Sequence, residues 1–90
     1  MLKCLSRNSE HLLEREPVVS NSVVTAAYCA QRLTLEVEYY NGLVFRFHGV
    51  AREIGDQLFL PGAFDFVFRS KVSGVCSYAR VGKTYPFLGG

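Results

Sequence analysis

Between residues 23 and 50 apolar and polar side chains alternate with a period of two. Leu35, Val37 and Tyr39 are separated by Glu36 and Glu38, the pattern of a strand with one buried face. A β-prone run from Val23 to Tyr28 precedes it across a turn-like stretch at 29–32, and a third run follows from Leu43 to Val50. Asn41-Gly42 joins the second and third runs, and this dipeptide signals a type I′ hairpin because that turn needs positive φ at both central residues. A two-residue turn pairs Tyr40 with Leu43, Glu38 with Phe45 and Val37 with Arg46. The predicted core face then carries Leu35, Val37, Tyr39, Val44, Arg46 and His48. The opposite face carries Glu36, Glu38, Tyr40, Leu43, Phe45 and Phe47, two rings beside two carboxylates.

Residues 51–60 have helical spacing at Ile54 and Leu58 and end at Pro61-Gly62, although Gly55 within them costs about 1 kcal/mol relative to Ala. Leu35, Val37, Tyr39, Val44, Ile54 and Leu58 are the expected core. Phe64, Phe66 and Phe68 alternate as a strand would, while Phe64, Val67, Phe68 and Val72 fit a helix; the sequence is read here as a short helix. Val75, Tyr78 and Val81 offer further strand material among Gly74, Gly82 and Pro86. Upstream, residues 1–21 read as an N-terminal arm and linker, with a helix over 9–15 capped by Ser9 and stopped before Pro17. The predicted fold is α+β, a three-stranded antiparallel meander with one or two packed helices. It forms a single domain over 22–90 with a basic C-terminal extension.

Composition narrows the function classes. Ninety residues, 49% hydrophobic and 20% charged, suit one compact domain and exclude both a wholly disordered chain and a large multi-substrate enzyme. No apolar run approaches the roughly 18 to 20 residues of a membrane span, and Glu10, Glu14 and Glu16 stand where a signal peptide would have its apolar core. The expectation is a soluble, cytoplasmic protein. Cys4, Cys29 and Cys76, an odd number at wide spacing, read as free thiols. The formal charge of +2 hides an asymmetry: all eight acids precede residue 66, whereas Arg69, Lys71, Arg80 and Lys83 follow it with no acid among them. Such a segment attracts polyanions, nucleic acid first, and also fits an ordinary solvated surface.

Candidate chemistry is sparse. Cys4, His11, Cys29, His48 and Cys76 show no pair at metal-ligand spacing, so neither a metal nor another cofactor is expected. No nucleophile, base and orienting group stand at an informative spacing, and the chain reads as non-enzymatic. Glu36 and Glu38 read as solvated charges, and Gly82-Lys83-Thr84 lacks the earlier glycine of a phosphate-binding loop. The strongest positive signal is Phe45-Arg46-Phe47, two rings on one sheet face on which unpaired bases could stack. The competing reading is that residues 64–90 fold over those rings and bury them. Phe45, Phe47, Arg69, Lys71, Arg80 and Lys83 are therefore the candidate residues for nucleic-acid or partner binding, with no catalytic residue.

Ser22-Val23-Val24, Tyr28, Leu35-Glu36-Val37-Glu38-Tyr39, Asn41-Gly42 and Val44-Phe45-Arg46-Phe47-His48-Gly49-Val50 together resemble the KTSC domain. That domain is named for the C-terminal extension of some lysyl-tRNA synthetases and also occurs as small free-standing bacterial and phage proteins. The resemblance covers residues 22–68, with Phe45 and Phe47 where the family usually has tyrosines and with Gly62, Phe64 and Asp65 as a loose match to its next landmark. It implies a small α+β domain, no catalytic residues and a suggested role in RNA binding, and the function expected for the chain is a small non-enzymatic module that binds RNA or nucleoprotein. The alternative is a phage-type or bacterial adaptor that inhibits a host protein, such as a polymerase, nuclease or immune effector, through a sheet edge or a homodimer surface.

Overall fold

The computed structural model describes residues 14–83. Five antiparallel strands follow one another across a single sheet: β1 (Glu16–Pro17), β2 (Val23–Cys29), β3 (Thr34–Tyr39), β4 (Leu43–His48) and β5 (Ser77–Lys83). Helices α1 (Arg52–Leu58) and α2 (Phe64–Val67) and a wide π turn (Phe68–Val72) lie between β4 and β5. The architecture is the expected α+β meander, extended by one strand at each edge. Glu16 and Pro17, from the stretch read as arm and linker, pair with Ala26 and Thr25. The helix read over 9–15 lies outside the described residues apart from Glu14 and Arg15, which are not helical.

The β3–β4 register differs from the expected one by a single residue. Leu35 pairs with Phe47, Glu36 with Arg46, Val37 with Phe45 and Glu38 with Val44. Gly42 has φ of 89°, but Asn41 is not among the residues with positive φ, which excludes a type I′ turn. The Gly42 N–H donates to the Tyr39 carbonyl at 2.9 Å, and the Leu43 N–H donates to Asn41 Oδ1 at 3.0 Å. Tyr40, Asn41 and Gly42 thus form a three-residue loop, a turn followed by a left-handed glycine. One extra loop residue moves every β4 side chain to the other face. Phe45 and Phe47 join Leu35, Val37 and Tyr39, whereas Val44, Arg46 and His48 join Glu36 and Glu38.

The first of these faces holds the main core. Tyr28, Leu35, Phe47 and Val50 pack against Leu58, Phe64, Phe68 and Val72, and Phe68 meets Phe47 edge to face and Phe64 in a stack, each at 5.4 Å between ring centroids. The helical reading of Phe64, Val67, Phe68 and Val72 holds, since all four are buried while Phe66 is exposed. Leu35, Val37, Val44 and Leu58 are buried as expected, and Tyr39 and Ile54 are half-buried.

The other face buries a charge. Glu36, read as solvated, is 0% exposed because the shifted register sets it opposite Arg46. Arg46 Nη2 donates to Glu36 Oε1 at 2.9 Å, and Arg15 Nη1 donates to Oε2 at 2.5 Å. Arg15 Nε also donates to Thr25 Oγ1 at 3.0 Å, and that hydroxyl donates to Glu38 Oε1 at 2.9 Å. A buried carboxylate is tolerable only when both oxygens are satisfied, which the two guanidiniums accomplish. Cys29 is disulfide-bonded rather than a free thiol, and Cys76 is free; spacing along the chain does not reveal which sulfurs a fold brings together.

Candidate functional site

The register change relocates the candidate aromatic platform. Phe47, expected on an open mixed face, is 4% exposed in the core, with Phe68 against one side and Tyr78 at 5.5 Å on another. Phe45 is half-buried, meeting Tyr39 edge to face at 5.4 Å and Tyr78 at 5.7 Å. The competing reading, that the C-terminal elements cover these rings, describes Phe47. No base can reach a ring so enclosed.

Among the described rings that contact Phe45 and Phe47, Tyr78 remains accessible and is not among the residues expected to bind; Tyr40 in the β3–β4 loop and Phe66 on α2 are exposed as well. β5 aligns Tyr78 with Phe47 and Arg80 with Phe45, so a ladder of rings runs from Tyr39 on β3 through Phe45 on β4 to Tyr78 on β5. Tyr78 lies outermost, tilted 36° to Phe47 and 50° to Phe45, and is 60% exposed. Burial, then the neighbouring Tyr78, raises the Tyr39 phenol above its ordinary value. The available signal was the two-residue spacing of Tyr78 and Arg80, which puts both on one face of a strand, within the acid-free segment.

Three of the four candidate cations lie on β5 and on the π turn that packs against Phe47. Arg80 is exposed two positions along β5. Arg69 and Lys71 are exposed on the outside of the π turn, whose Phe68 and Val72 point inward. The turn packs through Phe68 on Phe47, the ring that also supports Tyr78. Cys76 Sγ lies 3.8 Å from the Lys71 carbonyl and 3.9 Å from that of Gly49, which holds the turn's end beside the start of β5. Lys83 ends β5, opposite Leu43. The ion pairs among the described residues belong to Glu36 with Arg15 and Arg46, on the other face; Lys71 and Arg80 are outside them, and Arg69 lies near enough to Asp65 for its charge to act on that carboxyl. Insertions that form π turns are frequent at functional sites.

Other features offer less chemistry. Among the described residues no three His, Cys, Asp or Glu side chains gather as metal ligands, and no helix is long and apolar enough to cross a membrane. His48 pairs with Ser77, while the Cys76 thiol is directed at backbone carbonyls. A groove of about 230 Å³ lies between Glu16, Pro17 and Val18 on one side and Leu58, Phe59 and Phe64 on the other. That volume is below the roughly 300 to 1,000 Å³ usual for small-molecule sites.

No model of a known protein family matches the chain, and no curated protein does. Among solved structures, a KTSC domain protein from Yersinia pestis superposes with a TM-score of 0.69 at 17% identity, over 77% of this chain and 97% of that one. The likeness spans almost the whole of the smaller protein and extends well past the segment whose sequence carried the resemblance. The chain has the fold of a KTSC domain.

Proposed function

We propose that this chain is a small, non-enzymatic domain that binds nucleic acid or nucleoprotein through the face formed by Tyr78, Arg80 and the π-turn residues Arg69 and Lys71. The observation that carries the reading is the coincidence of an exposed aromatic ring, backed by other rings, with cations drawn from a segment that contains no acid. Rings give stacking surfaces and the cations give phosphate affinity, the two ingredients of sequence-tolerant binding. Phe45 contributes as the support beneath Tyr78, and Phe47 as core.

The alternative, an adaptor or homodimer that recruits a host protein through a sheet edge, weighs less. One edge is the two-residue β1 with Pro17 in it, and the other, β5, has its register broken between Arg80 and Gly82. Short strands, proline, bulges and edge charges are all devices that discourage strand pairing. The discriminating experiment is a pull-down with and without nuclease, followed by titration of purified protein with RNA and DNA at two salt concentrations. Nuclease-sensitive capture and salt-dependent binding support the proposal. One nuclease-resistant protein partner, with no binding of RNA or DNA even at low salt, replaces it with the adaptor reading.

A further inference from the structure

The polyanion reading leaves open which form of nucleic acid the face accepts, and the geometry around Tyr78 bears on that question. The inner side of the ring rests against Phe45 and Phe47, at centroid distances of 5.7 and 5.5 Å. The supporting rings are held in turn by Tyr39 and Phe68. A tyrosine alone on a strand would sample several rotamers and give up that freedom on binding. Here three strands and the π turn fix it while 60% of it stays open, so its outer side is a preorganised flat surface. Arg80 is on the same face of the strand, one side-chain repeat of about 7 Å further along. Lys71 is exposed on the adjoining π turn, and its backbone carbonyl lies 3.8 Å from Sγ of Cys76, two residues before Tyr78.

A flat apolar surface one ring wide, with one cation further along the strand and another on the turn that leads into it, fits a base with its neighbouring phosphates. Base faces are available for such contact only where the bases are unpaired; in a duplex they are covered by their neighbours. Resting on the proposed function, we infer that the ligand is single-stranded nucleic acid, with one base stacked on the outer side of Tyr78 and its flanking phosphates on Arg80 and Lys71. Nothing in the arrangement reads a base edge, so the site discriminates strand state rather than sequence.

The test uses the full chain with an unstructured single-stranded oligonucleotide of mixed sequence and with the duplex formed by that strand and its complement. Tyr78→Phe retains the ring and binds as the parent protein does. Tyr78→Leu keeps an apolar side chain over Phe45 and Phe47, and circular dichroism confirms its fold. It binds the single strand about 5- to 150-fold more weakly, the loss expected for one base stack, while its duplex affinity hardly changes. Because the chain contains no tryptophan, Tyr78→Trp introduces a single indole at the stacking position. Its emission is quenched by the single strand and not by the duplex, a signature that a purely structural role for Tyr78 would not produce. Equal affinity for the two forms, or an unchanged Tyr78→Leu together with weakening by Arg80→Gln and Lys71→Gln, overturns this inference and leaves the polyanion reading in place. Binding of neither form removes both.

Discussion

Gly55→Ala should destabilise this domain even though it improves the intrinsic helix propensity of α1. In an exposed helix the substitution gains about 1 kcal/mol. Gly55 is instead buried against Tyr28: an added Cβ would lie 2.5 Å from Cδ2 and 2.7 Å from Cζ of that ring, and closer still to Cε2. The ring has little room to retreat, because Tyr28 is itself buried and its hydroxyl donates to the Val50 carbonyl at 2.5 Å. Overpacking of this kind costs about 1 to 3 kcal/mol, and displacing the hydroxyl adds about 1 kcal/mol for the lost hydrogen bond. Set against the propensity gain, the net loss is about 2 kcal/mol, or roughly 8 to 16 °C in Tm for a domain of this size. Urea denaturation of Gly55→Ala, Tyr28→Leu and the double variant gives the coupling directly. Gly55→Ala should become neutral or stabilising once the ring is gone, a coupling of at least about 2 kcal/mol. A Gly55→Ala protein as stable as the parent would refute the reasoning.

Further outcomes follow from the same contacts. Glu36→Gln removes the charge shared by Arg15 and Arg46 and should lower stability by about 3 kcal/mol in a urea titration, within the range for broken buried pairs. Hydrogen bonds from Ser20 Oγ and the Asn21 N–H, together with the charge of Arg69, hold the Asp65 carboxyl below its usual range, with slight burial opposing them. Its folded value is thus depressed, so its stabilisation is present above the unfolded value of about 4 and is lost as pH falls through the folded one. Asp65→Asn should therefore flatten the decline in urea midpoint below about pH 4. Phe47→Leu should lower the urea midpoint by leaving a cavity beside Phe68, and weaken single-strand binding by less than Tyr78→Leu does, because Phe47 supports the stacking ring without itself offering a surface to a base.

The sequence made the existence of the central strands and of both helices readable, because those segments are periodic and their apolar positions are the ones the fold buries. Its error came from one turn. Asn41-Gly42 was read as a two-residue loop, but Tyr40 joins the loop and Asn41 keeps an ordinary φ, a choice of backbone conformation that the dipeptide alone does not determine. Since side chains alternate, that single residue exchanged the faces of Phe45, Phe47, Arg46 and His48 and changed Glu36 from a solvated group into a buried ion-pair partner. Arg15 could not have been assigned to Glu36 from local pattern, since 21 residues separate them. Of the two edge strands, β1 is too short to show a period, whereas β5 was legible as strand material at Tyr78 and Val81 although its bulge interrupts the alternation. The basic, acid-free C-terminal segment was legible from charge alone, whereas Tyr78 emerged only when the register placed it over Phe45 and Phe47.

The central claim is that the Tyr78 face is the binding surface, and amide chemical-shift mapping addresses it directly. An isotopically labelled sample of the whole chain is titrated with the single-stranded oligonucleotide at low salt. The account predicts shifts concentrated at Ser77 to Arg80 on β5, at Phe45 on β4 and at Arg69 to Lys71 on the π turn, collapsing as salt is raised because phosphate contacts release counterions. Shifts concentrated instead around Pro17, Val18 and Leu58 to Leu60, or a spectrum that does not respond to the strand at any salt concentration, would contradict it.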